Sequence, residues 1–153
     1  MLIGPDHVVI ALQPLADLYD GDPATDVFNM EDYDHITFLL FEGAGGTGTA
    51  TLTVEECNTA AGGGANAIAY RYRLQSTIDT WGALTAIAST GYTTVAGANK
   101  AIAIEVDAEE LADGFNFVRL QITEVANDPC TAVVIVVLSR SRYKQHVPVT
   151  AIA

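Results

Sequence analysis

The chain has 153 residues, half of them hydrophobic, and sets nineteen acids against seven Lys and Arg for a net charge of −12. That length makes about one domain with a single full core. The charge excludes a nucleic-acid partner, because phosphate backbones need clustered bases, and no apolar run approaches the roughly 20 residues of a membrane-spanning helix.

Residues 1–34 differ in character from the rest of the chain. They hold eight acids (Asp6, Asp17, Asp20, Asp22, Asp26, Glu31, Asp32 and Asp34) and no base, and the first base of the chain is Arg71. Pro5, Pro14 and Pro23 discourage a helix or a central strand, and residues 1–6 lack the basic, apolar start of an export signal. The pattern predicts an extended N-terminal arm with edge-strand fragments at 8–12 and 26–28. Its apolar pieces need a surface to lie on, and the expectation is that a neighbouring molecule supplies it. Val8, Val9, Ile10, Leu12, Asp17, Asp20, Asp22, Val27 and Phe28 are then the arm's interface residues.

From His35 onward the apolar positions recur with the period of strands. Ile36, Phe38 and Leu40 share one face, while Leu39 and Phe41 make the other face apolar too, so cover is expected on both sides. Residues 49–55 alternate cleanly, with Ala50, Leu52 and Val54 inward. The Gly-rich stretch 43–48 between these strands reads as a hairpin loop, since it lacks the Lys-Ser/Thr pair of a phosphate-binding loop. A second Gly-rich loop over 58–66 precedes a strand at 68–74 with Ile68, Tyr70, Tyr72 and Leu74 on its core face. Weaker strands come next at 81–88 and 92–96, then one at 101–106 that buries Ile102, Ile104 and Val106.

Asp107, with Glu110 three residues on, predicts one capped helical turn, and Gly114 would end it. The strand at 115–125 places Val118, Leu120 and Ile122 inside. A turn at Asn127-Asp128-Pro129 leads to the last strand at 133–138, which ends in the basic series Arg140, Arg142, Lys144 and His146. The prediction is an all-β fold: a jelly-roll-like antiparallel β-sandwich over 35–147, the arm over 1–34, one short helical turn, and a C-terminal tail over 148–153.

Little in the chain points to reaction chemistry. Asp17, Asp20, Asp22 and Asp26 do not have the spacing of a calcium loop. His7, His35 and His146 stand alone, and His35 beside a strand start reads as a hydrogen-bonded structural residue. Glu55 and Glu56 are consecutive on a strand and face opposite ways. Cys57 and Cys130 fit no metal spacing; one disulfide or two buried free thiols are both compatible with their places. No enzyme activity, catalytic residue, metal or cofactor is expected. Arg71 and Arg73 read as a solvated strand face. Arg140, Arg142, Tyr143 and Lys144 read as a partner surface, because Tyr and Arg are enriched at interfaces, and an acidic arm from a sister subunit is the expected counterpart.

Several segments together resemble a known family. Residues 23–30 (Pro-Ala-Thr-Asp-Val-Phe-Asn-Met) and 33–38 (Tyr-Asp-His-Ile-Thr-Phe) resemble the arm-to-first-strand join of small tailed-bacteriophage head proteins. So do 49–57 (Thr-Ala-Thr-Leu-Thr-Val-Glu-Glu-Cys), 70–73 (Tyr-Arg-Tyr-Arg) and 114–120 (Gly-Phe-Asn-Phe-Val-Arg-Leu). Over residues 23–143 the chain resembles the capsid decoration, or cement, proteins of these phages. The resemblance implies a jelly-roll or β-tulip type sandwich, a homotrimer, and the major capsid protein as partner. It also implies a place on the outer capsid surface after assembly in the host bacterial cytoplasm, with no catalytic residue and no small-molecule substrate.

Three rival readings differ in what they require. A carbohydrate-binding β-sandwich needs exposed aromatics; Tyr70 and Tyr72 read as buried, which leaves Trp81 and Tyr92. A cupin-like oxygenase needs a His-x-His pair that the chain lacks. Another phage head or tail component fits the composition as well.

Overall fold

The structure, a computed structural model, describes residues 6–44, 46–97, 99–143 and 152. The described residues form twelve strands: β1 (His7–Leu15), β2 (Phe28–Asn29), β3 (Tyr33–Glu42), β4 (Thr49–Cys57), β5 (Asn66–Ile68), β6 (Tyr70–Thr77), β7 (Thr80–Trp81), β8 (Thr85–Ile87), β9 (Tyr92–Thr93), β10 (Ala101–Asp107), β11 (Phe117–Ala126) and β12 (Ala132–Ser141). One 3-10 turn, Ala108–Glu110, comes after β10, and the Asp107 amide donates to Glu110 Oε2 at 2.9 Å, the reach-back contact of the predicted capping box.

The strands form two antiparallel sheets. The larger runs β1-β12-β3-β10-β6-β7, with β8 also on β6, and the smaller runs β2-β11-β4-β5, with β9 also on β4. The predicted all-β sandwich is the observed architecture. Alternation explains why: Ile36, Phe38 and Leu40 of β3, Ile102, Ile104 and Val106 of β10, and Val134, Val136 and Leu138 of β12 turn inward. They meet Ala50, Leu52 and Val54 of β4 and Val118, Leu120 and Ile122 of β11, and all are buried. Each large side chain so buried contributes roughly 1.5–3 kcal/mol.

The N-terminal segment is the main correction. Residues 7–34 do not wait for a neighbour. β1 hydrogen-bonds the free edge of β12, β2 pairs with β11, and Leu18, Tyr19, Phe28 and Met30 belong to the single core. The physical reason is that the edge of β12 and the inner faces of both sheets provide the apolar surface this segment needs. Pro14 is tolerated because β1 is an edge strand, where an absent N–H breaks no ladder. Ile152 bridges Phe28; the rest of the predicted tail lies outside the described residues.

Three further readings change. The 43–48 loop is no hairpin, because it carries the chain from β3 in one sheet to β4 in the other. Its tightness is real: a Cβ on Gly48 would stand 2.1 Å from the Asp128 carbonyl oxygen. The strand predicted at 68–74 breaks at Ala69, so Ile68 belongs to the smaller sheet and Tyr70 to the larger. Gly114 stands beyond the helical turn, which closes at Leu111. Both cysteines are buried free thiols, and burial is the first cause that pushes each thiol pKa up.

Candidate interaction surface

The outer face of the larger sheet is built by the same alternation that fills the core. In an antiparallel pair, directly opposed residues share a face. Val8 opposes Val137 and Ile10 opposes Ile135. Val137 opposes Thr37, Ile135 opposes Leu39, and Val133 opposes Phe41. Three rows of outward side chains result, and seven apolar ones lie together: Val8, Ile10, Leu39, Phe41, Val133, Ile135 and Val137. Ile10 is 59% exposed, Val8 44% and Phe41 37%, while the other four are half-buried by their neighbours. The predicted double-sided apolarity of β3 is therefore met by the core on one side and by solvent on much of the other.

Across β10 and β6 the same rows become polar. Glu105 opposes Thr37 and Ala103 opposes Leu39, and Arg71 and Arg73 continue those rows. A shallow groove of about 420 Å³ runs here, lined by Thr37, Leu39, Arg73, Trp81, Ala103 and Glu105. Small Ala103 leaves the depression, and Trp81, 39% exposed, forms one wall. Arg73 Nε lies 3.5 Å from Glu105 Oε1.

One end of the face closes in a charged cluster. Asp107 Oδ1 is 2.7 Å from His35 Nδ1 and 3.2 Å from Arg140 Nη1, and Asp107 Oδ2 is 2.8 Å from Arg71 Nη2. Arg71 also meets Glu110 at 2.9 Å, and Thr37 Oγ1 meets His35 Nε2 at 3.2 Å. Burial alone would push the Asp107 carboxyl up, but the His35 hydrogen bond and the charges of His35, Arg140 and Arg71 outweigh it and hold the group below its ordinary value. Arg140 reaches this cluster from a left-handed backbone, φ 55°, a conformation that costs a non-glycine residue about 1–2 kcal/mol. His35 is thus the hydrogen-bonded structural residue expected.

The predicted interface residues scatter. Val8 and Ile10 lie on the outer face, whereas Val9 and Leu12 pack against the core. Phe28 is fully buried and presents nothing to a partner, and Val27 is half-buried. Asp17 accepts from the Cys130 amide at 3.4 Å and Asp22 from the Glu124 amide at 2.7 Å; Asp20 is exposed. Desolvation raises the Glu124 carboxyl pKa, and Asp17, Asp20 and Asp22 raise it further, so these acids do gather. Among the described residues no three His, Cys, Asp or Glu side chains are grouped to hold a metal ion, and no helix is long and apolar enough to cross a membrane.

The basic end is likewise closed within the chain. Arg140 pairs with Asp107, and Arg142 Nε lies 2.5 Å from Asp34 Oδ1. The expected meeting of an acidic leader with the basic end occurs in one molecule, where Arg142, just past the end of β12, reaches Asp34 near the start of the neighbouring β3. Tyr143 is exposed, and Lys144 lies outside the described residues. Arg119 with Glu55 at 2.7 Å completes the pairing of all five arginines.

The fold is similar to the crystal structure of the SPBc2 prophage-derived protein YomS. The identity is 13%, the TM-score is 0.48, and the match covers 90% of this chain and 96% of that one. No protein family matches the sequence, and no curated protein does.

The site residues that sequence reasoning missed as a set are Val133, Ile135 and Val137. Their signal was present, because a strand apolar at every position from 132 to 138 must show one apolar face outward unless both faces are covered.

Proposed function

We propose that this protein is a non-enzymatic virion component, a decoration protein that seats the outer face of its larger sheet on the shell of a tailed-phage head. The observation that carries this reading is the contiguous patch of Val8, Ile10, Leu39, Phe41, Val133, Ile135 and Val137 on one face of the sandwich. Contiguous exposed apolar surface on a water-soluble sandwich marks an interaction site. The resemblance of residues 23–143 to capsid decoration proteins supplies the class of partner, the major capsid protein, and the trimeric state. Charge supports a foreign partner on this face: every arginine is already paired, and the surplus is acidic, so two copies repel unless other contacts hold them. Such a protein works by mass action, since binding only the assembled shell stabilises it against opening.

The test is co-sedimentation of the purified protein with undecorated phage shells. The wild type is expected to sediment with shells and Ile10→Asp to remain in the supernatant while folding normally. Equal retention of both, or of neither, would overturn the reading.

A second reading rests on the groove beside Trp81. An exposed indole next to the Arg73 and Glu105 pair is the surface that stacks on a sugar ring while polar side chains bind its hydroxyls. Glycan binding that disappears in Trp81→Ala, with shell binding unchanged, would favour carbohydrate recognition over capsid attachment.

A further inference from the structure

The open end of the sandwich holds a cleft that the outer face does not involve. Glu42 is the last residue of β3, and its parity with Ile36, Phe38 and Leu40 points it between the sheets. It is only 5% exposed. Tyr19 Oη donates to its Oε1 at 2.5 Å, but the buried Oε2 has no hydrogen-bond partner among the described residues. Glu42 lines a cleft of about 160 Å³, together with Leu74, Tyr92, Val95, Lys100 and Ile102 among others. The Lys100 ammonium is held by the carbonyl oxygens of Val95 and, at 3.0 Å, of Ala96.

We propose that this cleft is a binding site for a short apolar group that ends in a primary carboxamide. The walls from Leu74, Tyr92, Val95 and Ile102 select an apolar stem. The space admits a group of roughly five to six heavy atoms, taking about 30 Å³ for each. An ammonium tip would face Lys100, and a carboxylate tip would face Glu42. A neutral carboxamide satisfies both, because its N–H donates to Glu42 Oε2 while its carbonyl accepts from Lys100. A buried polar atom without a partner is costly and is normally satisfied, and such a ligand supplies the missing donor. The same chemistry is available from a free small amide or from a glutamine side chain on a docked protein.

The experiment is a titration of the intact protein followed by amide NMR. Butyramide is expected to shift the Leu74, Tyr92 and Ile102 resonances saturably. Butylammonium and butyrate are expected to bind at least tenfold more weakly. Leu74→Trp, which fills the mouth of the cleft, should abolish the shifts; if it does not fold, Lys100→Met should weaken butyramide at least fivefold. An Ala-Gln-Ala peptide that binds as tightly as butyramide identifies a protein glutamine as the source, and binding of butyramide alone identifies a free small amide. No saturable shift with butyramide, equal shifts in the blocked variant, or tighter binding of either charged probe would overturn the proposal. None of these outcomes bears on shell binding by the outer face.

Discussion

Arg142 Nε lies 2.5 Å from Asp34 Oδ1 across 108 residues of sequence, and the Arg142 amide donates to the Asp32 carbonyl at 2.9 Å. The start of β3 and the exit of β12 are clamped by this pair. Both side chains are about half exposed, so solvent screening limits the ion pair to about 0–1 kcal/mol. A double-mutant cycle of Asp34→Ala and Arg142→Ala is expected to give a coupling of that size at low salt, falling towards zero in 1 M salt. Coupling that survives high salt would mean the pair is more enclosed than its exposure allows.

Phe28 and Ile10 separate the two roles of the N-terminal segment. Phe28 is fully buried and packs edge-on against Phe38, with ring centroids 6.0 Å apart. Phe28→Ala is expected to cost about 3–5 kcal/mol in denaturant unfolding. Ile10→Ser, on the outer face, should stay within about 0.5 kcal/mol of the wild type. If truncating Phe28 were harmless, the segment would not be part of the core.

Glu42 and Asp107 should bend the pH dependence in opposite directions. Burial raises the Glu42 carboxyl pKa above its ordinary 4.5, although the Tyr19 hydrogen bond and the Lys100 charge pull it down. The native state therefore holds the Glu42 proton more tightly than the unfolded chain, and stability is lost as pH rises from the ordinary value through the native one. Asp107 is held below its ordinary value, so its contribution is lost as pH falls through its native pKa. Thermal unfolding of Glu42→Gln should gain on the wild type as pH rises above about 4.5. Asp107→Asn should lose most against the wild type at neutral pH and converge with it in acid. Parallel curves for all three proteins would contradict both assignments.

Gly48 and Gly21 make a paired test of backbone crowding. An added Cβ at Gly48 meets the Asp128 carbonyl, whereas at Gly21 nothing lies within 4 Å although φ is 77°. Gly48→Ala is expected to cost at least about 1–3 kcal/mol through forced backbone shifts, and Gly21→Ala about 1–2 kcal/mol through its left-handed conformation alone. Chemical denaturation of the two variants ranks them directly.

The strands of the sandwich were legible because burial on one face imposes a period of two, as in β4, β10 and β11. Sheet membership was not. Residues 68–74 read as continuous strand on pattern alone, yet the chain changes sheets at Ala69, and nothing in a local pattern separates a hairpin from a crossover at 43–48. The N-terminal segment was legible as an edge strand with prolines, but apolar residues on both of its faces look the same whether the adjoining edge is its own or foreign. In the surface, Arg140 and Arg142 stood out by type and spacing. Their partners, Asp107 and Asp34, are 33 and 108 residues away, and only the sheet register brings them close. Glu42 was readable in principle, since its parity in β3 matches the inward residues.

The pairing of β1 with β12 joins the first and the last of the described strands. Among the described strands β1 has no ladder partner until β12 has emerged in synthesis, so its completion waits on closure of a loop more than a hundred residues long. Loop-closure entropy has to be overcome before that contact stabilises anything, which places such a topology among slow folders, on the order of milliseconds to seconds. Throughout that delay an apolar edge is open to other nascent copies, and dilution or a chaperone should govern the yield of soluble protein.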